Sequence, residues 1–134
     1  MSNLKQYLSE LEKDIQNAYE SSPTLNEAEK LAAKFLVAQI RLGQEIKSSD
    51  LDVRMRKSGL KAVKAAVYLK KATETDKKPS DVMLGAIVDT DKVVGEAQDA
   101  FDSAEVTKNE LENQLIVMHE AHLYFRNIAK GRFE

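Results

Sequence analysis

Apolar residues recur along the start of the chain at alternating intervals of four and three, which is the spacing of an amphipathic helix. The series consists of Leu4, Leu8, Leu11, Ile15 and Ala18. Pro23 lacks a backbone N–H and disfavours a helical conformation in the residue before it. A first helix is therefore predicted over residues 3–20. Thr24 and Glu27 have the spacing of a capping box, so a second helix is predicted to begin at about residue 24.

A heptad seam of mostly apolar positions continues through the middle of the chain without a change of phase. Its positions are Leu25, Ala28, Ala32, Phe35, Gln39, Leu42, Ile46, Ser49, Val53, Arg56, Leu60, Val63 and Val67. A break and restart has no reason to preserve the phase, so the pattern predicts one helix over residues 24–72, and the small residues between 43 and 50 would allow it to bend. The alternative is a break at Ser48-Ser49-Asp50, with Ser49 capping a new helix.

A second heptad seam follows the loop predicted at residues 73–79. It runs through Met83, Ile87, Thr90, Val94, Ala97, Phe101, Ala104, Lys108, Leu111, Leu115, Met118, His122, Phe125 and Ala129. It predicts a third helix over residues 80–130, capped by Ser80 or Asp81. The short loop forces the two long helices into an antiparallel hairpin. Folding it about Lys77 places Leu60 opposite Val94, Phe35 opposite Met118 and His122 against Ala32.

The predicted fold class is all-α, a single domain over residues 1–134 in which a long antiparallel helical hairpin is joined by a shorter N-terminal helix. Each long helix would measure about 70 Å, and a bare hairpin of that length is mostly surface. Several apolar residues also lie outside the main seams, namely Leu31, Leu36, Ile40, Leu84, Val88, Val93 and Ile116. Exposed apolar flanks on a slender hairpin indicate further helices from other copies. We therefore expect a homo-oligomeric helical bundle or ring.

The sequence offers little that would support catalysis. The chain has no Cys, which excludes disulfides and thiolate chemistry, and it contains none of the glycine-rich phosphate or dinucleotide motifs. His119 and His122 lie three residues apart, whereas the zinc-protease helix needs a spacing of four. We predict no enzymatic activity, no cofactor and no metal site. No apolar run is long enough to span a membrane, and the start lacks a signal-peptide pattern, so we expect no membrane association and a cytoplasmic location.

Charge is distributed unevenly along the chain although the formal net charge is only -2. Residues 54–71 contain seven basic and no acidic side chains, whereas residues 81–112 contain nine acidic and two basic ones. Within the basic block, the positions Arg54, Lys57, Lys61, Lys64, Tyr68 and Lys71 step by three and four, so they lie on one face of a helix. At the rise of an α-helix this face is about 25 Å long. We call these six residues the basic stripe. Lys70 belongs to the same block.

A line of cations ending in an aromatic residue suits single-stranded nucleic acid, because cations follow phosphates while the ring offers a stacking surface. The stripe and Lys70 are therefore the candidate binding residues. A smaller second candidate lies near the C-terminus, at Tyr124, Arg126, Lys130, Arg132 and Phe133. The alternative interpretation is that the stripe pairs with Asp89, Asp91, Glu96 and Asp99 of the acidic helix, within the chain or between copies, or is simply a solvated face.

Three segments of the chain are similar to parts of a known family. The first, Leu60-Lys61-Ala62 with Lys64, Tyr68, Lys70 and Lys71, resembles the central DNA-binding segment of the UvsY-type recombination mediators of T-even-like phages. The segment Val88-Asp89-Thr90-Asp91-Lys92 is similar to the acidic pair that opens its last long helix, and residues 124–133 are similar to its aromatic and basic C-terminus. The resemblance covers residues 54–134. The chain departs from the pattern at Val63, where the family has arginine, and at Ala72-Thr73, which replace a glycine turn.

This resemblance implies a ring-forming helical protein, without an active site, that binds single-stranded DNA and helps a RecA-like recombinase displace the single-strand-binding protein. Phosphates would be held by Arg54, Lys57, Lys61, Lys64 and Lys71, with Tyr68 as the stacking residue. A phage-encoded protein would act in the host cytoplasm. The alternative function is a structural or assembly protein, of a virion or secretion apparatus, whose acidic and basic helix faces join copies together.

Overall fold

The computed structural model describes residues 2–74 and 79–131, and every regular element in those ranges is an α-helix. The helices are α1 (Ser2–Ser21), α2 (Leu25–Thr73), α3 (Asp81–Thr90) and α4 (Lys92–Ala129). The all-α prediction is therefore confirmed, and the bounds of the first two helices agree with the sequence pattern to within one residue. The loop about which the hairpin was predicted to fold, at Lys77, lies outside the described residues.

The junction between α1 and α2 is built from the residues that predicted it. Ser22 has a φ of 48°, in the left-handed region, and its N–H donates to the carbonyl of Ala18 at 3.1 Å. Such a residue ends a helix, and Pro23 prevents its continuation. The hydroxyl oxygen of Thr24 accepts the N–H of Glu27 at 3.2 Å. This contact satisfies one of the free donors at the start of α2.

Helix α2 runs from Leu25 to Thr73 without interruption. The continuous helix predicted from the unbroken heptad phase is thus confirmed, and the alternative break at Ser48-Ser49-Asp50 is wrong. Gly43 and Gly59 are accommodated inside the helix at a cost of about 1 kcal/mol each in helix propensity. The continuity of α2 holds all of residues 54–71 at fixed helical spacing.

The prediction of a single third helix over residues 80–130 is wrong, because the chain breaks at Asp91. This residue has extended backbone angles (φ −67°, ψ 137°), and its carboxylate Oδ1 accepts the N–H groups of Val93 at 2.9 Å and Val94 at 3.3 Å. Asp91 therefore acts as the N-cap of α4, so that α3 and α4 are separate helices. Ser80 caps α3 as predicted, accepting the N–H of Met83 at 3.2 Å.

The break also shifts the phase of the buried positions by one residue. Leu84 and Val88 are the buried residues of α3, whereas the predicted seam residue Met83 is 58% exposed. Beyond the break, Val94 is buried as the seam predicts. The heptad seam places Leu84 and Val88 outside the core, and this part of the prediction is wrong. A continuous helix could not bury Leu84 and Val88 on the same side as the later seam residue Val94, because a shift of one residue rotates the buried side by about 100°.

The helices form two compact units. The first comprises residues 1–45 and 111–134 and contains α1 with parts of α2 and α4. Thirteen of the eighteen buried hydrophobic residues in the described ranges belong to this unit. Among them, Phe35 and Phe125 stack with ring centroids 5.5 Å apart. This unit therefore holds the larger share of the apolar core.

The contacts of two histidines show how α2 and α4 run in the first unit. The Nδ1 of His122 lies 2.8 Å from the carbonyl oxygen of Ala32, and the Nδ1 of His119 lies 3.0 Å from the side-chain oxygen of Gln39. The later residue on α4 thus meets the earlier residue on α2, so these segments are antiparallel. The predicted placement of His122 against Ala32 is confirmed.

The second unit, residues 46–110, contains part of α2, all of α3 and the first part of α4. Leu60, Val88 and Val94 form its buried cluster, and the partly buried residues packed against them are Val63, Val67, Tyr68, Ala97 and Phe101. The predicted proximity of Leu60 and Val94 is confirmed. This core is thin, and the large apolar side chains of Leu51, Met55 and Leu69 are exposed. The unit carries the basic stripe along its portion of α2.

Candidate nucleic-acid interface

The basic stripe occupies the helical face predicted from its spacing, and its residues differ in exposure. Arg54, Lys57 and Lys61 are exposed, whereas Lys64, Tyr68 and Lys71 are half-buried. Lys70 is exposed but departs from the three–four spacing. Since all seven residues belong to the uninterrupted part of α2, their relative positions are fixed by the helix.

Ion pairs occupy the two ends of the stripe. The guanidinium of Arg54 lies 3.1 Å from the carboxylate of Asp50, and the ammonium of Lys71 lies 3.3 Å from that of Glu74. In the described part of the chain, Lys57, Lys61, Lys64 and Lys70 form no ion pair. The cations available to an external anion are therefore Lys57, Lys61 and Lys64 in the middle of the stripe, and Lys70 near the end of the block.

The alternative interpretation is that the stripe pairs with the acidic helix of the same chain. No ion pair of this kind is present among the described residues. Asp91 is engaged in capping α4, and Asp89, Glu96 and Asp99 are exposed. An ion pair between α2 and α4 joins Asp50 to Lys108 at 2.8 Å. There the acidic group is on α2 and the basic group on α4, which is the reverse of the expected arrangement.

The Asp50 carboxyl lies beside the N-terminal end of the stripe, and its pKa is lowered by its neighbours. The hydrogen bond from the Lys108 ammonium, together with the nearby charge of Arg54, lowers the pKa of the Asp50 carboxyl below its usual value against a smaller opposing effect of burial. Asp50 is therefore ionised throughout the neutral range and holds Arg54 and Lys108 in place. This anchors the N-terminal end of the stripe and leaves Arg54 less available for a ligand.

Tyr68 has less freedom than the sequence suggests. Its ring packs against the cluster of Leu60, Val88 and Val94, and its hydroxyl donates to the Asp81 carboxylate at 3.3 Å. Part of the ring is thus already covered by the protein. Only the remaining surface can stack on a base.

A groove between α2 and α3 adjoins this part of the stripe. It has a volume of about 510 Å³ and is lined by Lys64, Ala65, Tyr68, Leu69, Gly85, Val88 and Asp89. Two stripe residues, Lys64 and Tyr68, line it together with the α3 residues Gly85 and Asp89. The sequence pattern does not identify Gly85 as part of a site, because the heptad seam assigns the wrong residues to the inward face of this helix.

The second candidate cluster near the C-terminus is divided, because Tyr124 lies on a different side of the chain from the basic residues Arg126 and Lys130. Tyr124 lines a different, apolar groove with Ile15 and Ile116 of the first unit, and its ring meets that of Phe125 edge-on at 5.2 Å. Arg126 is two residues further along the helix and so faces another side. Lys130 is exposed beyond the end of α4, and Arg132 and Phe133 lie outside the described residues.

The two histidines are engaged with α2 rather than with each other. His119 approaches Gln39, and His122 lies against the Ala32 carbonyl. Within residues 2–74 and 79–131, no three His, Asp or Glu side chains are grouped as metal ligands. In the same ranges, none of the helices combines the length and apolar character needed to cross a bilayer.

Comparisons with known proteins give no further assignment. The chain matches no protein-family model and shows no significant similarity to curated proteins or to solved structures. The resemblance to the recombination mediators therefore stays a prediction, and function has to be argued from the stripe and its surroundings.

Proposed function

We propose that this protein is a non-enzymatic single-stranded DNA-binding protein that forms a homo-oligomer and acts as a recombination mediator. The observation that supports the proposal is the row Lys57, Lys61 and Lys64 on one face of an uninterrupted helix, with no acidic residue between positions 54 and 71. These three ammonium groups lack an ionic partner in the described part of the chain. Successive members are about 5 Å apart along the helix axis.

Such a row recognises a phosphate backbone rather than a base sequence. Each cation that neutralises a phosphate releases a condensed counterion, so affinity arises mainly from charge and decreases steeply with salt. A single row of three cations binds weakly. Assembly of several copies would multiply the contacts by raising their effective concentration. The exposed side chains of Leu51 and Met55 are apolar surface that contact with another copy would cover.

The first experiment is fluorescence anisotropy of labelled single-stranded DNA over a range of salt concentrations. Three available cations give a slope of log affinity against log salt of about -2 per protomer, whereas all five stripe cations would give about -3.5. We expect the smaller value, because carboxylates already neutralise Arg54 and Lys71. Oligomer mass should be recorded by light scattering at each salt concentration.

The double variant Lys61→Glu, Lys64→Glu tests the location of the site. It should abolish measurable binding while helicity, followed by far-ultraviolet circular dichroism, is unchanged. The matched control is Lys30→Glu, Lys47→Glu, which makes the same change in net charge at two exposed positions of α2 outside the basic block. Equal affinities of wild type and the Lys61, Lys64 variant would refute the proposal. For the mediator role, the wild-type protein should accelerate the assembly of a RecA-like recombinase on DNA covered with single-strand-binding protein.

A second candidate function is supported by exposed acidic residues of α4. Asp99 and Asp102 are three positions apart and so lie on one side of the helix, and both are exposed and form no ion pair in the described part of the chain. A structural protein could join the basic stripe of one copy to this acidic side of another. In that case Lys61→Glu, Lys64→Glu would dissociate the oligomer, as would Asp99→Lys, Asp102→Lys. Mixing the two variants would restore assembly, and wild-type protein would not bind DNA.

A further inference from the structure

We infer that the groove between α2 and α3 receives one nucleobase of the bound strand, and that it favours a base with an exocyclic amine. This inference rests on the proposed function, since it concerns the bases of the strand whose phosphates would follow the stripe. It differs from that proposal in its residues, because the groove includes Gly85 and Asp89 of α3.

The walls of the groove are suited to an apolar ring face. Tyr68, Leu69 and Val88 line it, and Leu69 is 63% exposed. A β-carbon added at Gly85 would have no atom of the described residues within 4 Å, so the absence of a side chain leaves open space in the groove. The groove volume is about 510 Å³. Small-molecule sites typically have volumes of several hundred cubic ångströms, so there is room for a single base.

The position of the groove connects it to the row of cations. Lys64 belongs both to the stripe and to the lining of the groove. A phosphate bound at Lys64 would therefore carry its nucleoside to the mouth of the groove. The exposed part of the Tyr68 ring is at the same place, so a base that leaves the strand could stack there without the ring leaving the hydrophobic cluster.

Two charged residues, Lys64 and Asp89, belong to the mostly apolar lining, and their side chains would decide which base is preferred. The Asp89 carboxylate is exposed and, like the Lys64 ammonium, has no hydrogen-bond or ionic partner among the described residues. A carboxylate accepts a hydrogen bond from an exocyclic amine such as that of cytosine, and an ammonium donates to a ring nitrogen or carbonyl. Thymine has a carbonyl oxygen in place of the cytosine amine, and the carboxylate would repel it. Cytosine is therefore expected to bind more tightly than thymine.

The test compares three labelled strands of equal length: oligo(dC), oligo(dT), and a strand of abasic deoxyribose phosphates. Wild-type protein should bind oligo(dC) most tightly and the abasic strand about tenfold more weakly, because stacking of the base is lost. Gly85→Leu fills the groove and should reduce the affinity for oligo(dC) to that for the abasic strand. The control is Gly59→Leu, a helical position of α2 where a β-carbon also meets no described atom within 4 Å.

A second variant changes the chemistry of the groove without filling it. Asp89→Asn should remove the preference for oligo(dC) over oligo(dT) while leaving the affinity for the abasic strand the same or slightly higher. Wild-type protein that binds the abasic strand as tightly as oligo(dC) would overturn the inference and leave phosphate binding intact. A Gly85→Leu protein that retains the full preference for bases, or loses affinity for the abasic strand equally, would also overturn it. Failure of all three strands to bind would instead refute the proposed function.

Discussion

Replacement of Asp91 by alanine tests the helix break on which the α3 side of the groove depends. In the structure, the Asp91 carboxylate accepts two N–H groups in the first turn of α4, at 2.9 and 3.3 Å. Replacing an N-cap aspartate by alanine costs about 1 kcal/mol. We therefore expect Asp91→Ala to lower the free energy of unfolding by about that amount. For a chain of this size, the change corresponds to a decrease in Tm of about 4 °C.

If the chain forms one helix through residue 91, Asp91→Ala should increase the free energy of unfolding instead of lowering it. Asp91 would then be an interior helical residue, and alanine has a helix propensity more favourable than that of aspartate by up to about 0.7 kcal/mol. Urea denaturation followed by far-ultraviolet circular dichroism measures this difference directly. A variant with unchanged or increased stability would refute the capped break and, with it, the placement of Leu84 and Val88 in the core.

Asp99→Ala is the matched control for this experiment. Asp99 is an exposed residue inside α4, eight positions beyond Asp91, and it forms no ion pair with another residue in the described part of the chain. The same chemical change should therefore be neutral or slightly stabilising there, through helix propensity alone. Opposite effects at the two aspartates would separate the cap from any general influence of removing a negative charge from a chain whose formal net charge is -2.

Three further predictions concern stability. Phe35→Ala should lower the free energy of unfolding by about 4 kcal/mol in urea denaturation, because Phe35 is fully buried against Phe125. Leu36→Ala, at an exposed position, should cost less than about 1 kcal/mol. The pKa of Asp50 is lower in the folded state than in an unperturbed aspartate, so its ionised form stabilises the folded state at pH values above the ordinary aspartate pKa. This stabilisation is lost as pH falls through the folded-state pKa. Asp50→Asn should therefore flatten the acid side of a profile of stability against pH. Gly59→Ala should raise stability by about 1 kcal/mol in thermal denaturation, because a β-carbon there meets no described atom; a lower Tm would contradict this.

Local spacing is sufficient to predict α2. Each turn of this helix supplies its own apolar positions, and their phase persists across Gly43 and Gly59, so the pattern favours one helix over a break at Ser48-Ser49-Asp50. The proximity of Leu60 to Val94 and of Ala32 to His122 then follows from antiparallel geometry alone. These features depend only on periodicity and on the rise per residue, both of which are properties of the local chain.

The division between α3 and α4 could not be predicted in the same way. Helix α3 has ten residues, and its apolar side chains lie on nearly every side of it, namely Val82, Met83, Leu84, Ile87 and Val88. Two phases are then equally compatible with the sequence, and the heptad count selects the wrong one. The signal that distinguishes them is the side chain of Asp91, because aspartate is a common N-cap residue but also occurs within helices. The partial burial of Tyr68 could not be predicted for the same reason, since it depends on Val88 facing inward.

The availability of the central cations follows from the sequence more directly than any other property of the site. Ion pairs along a single helix require opposite charges three or four residues apart, and the basic block has such acidic neighbours only near its ends. Asp50, Asp52 and Glu74 are those neighbours, and all three are paired in the structure. Lys61 and Lys64 have no acidic residue within four positions on either side, so only another helix, another molecule or water can neutralise them. Since the described part of the chain provides no such helix, the variant Lys61→Glu, Lys64→Glu reverses two charges that no described residue of the chain neutralises.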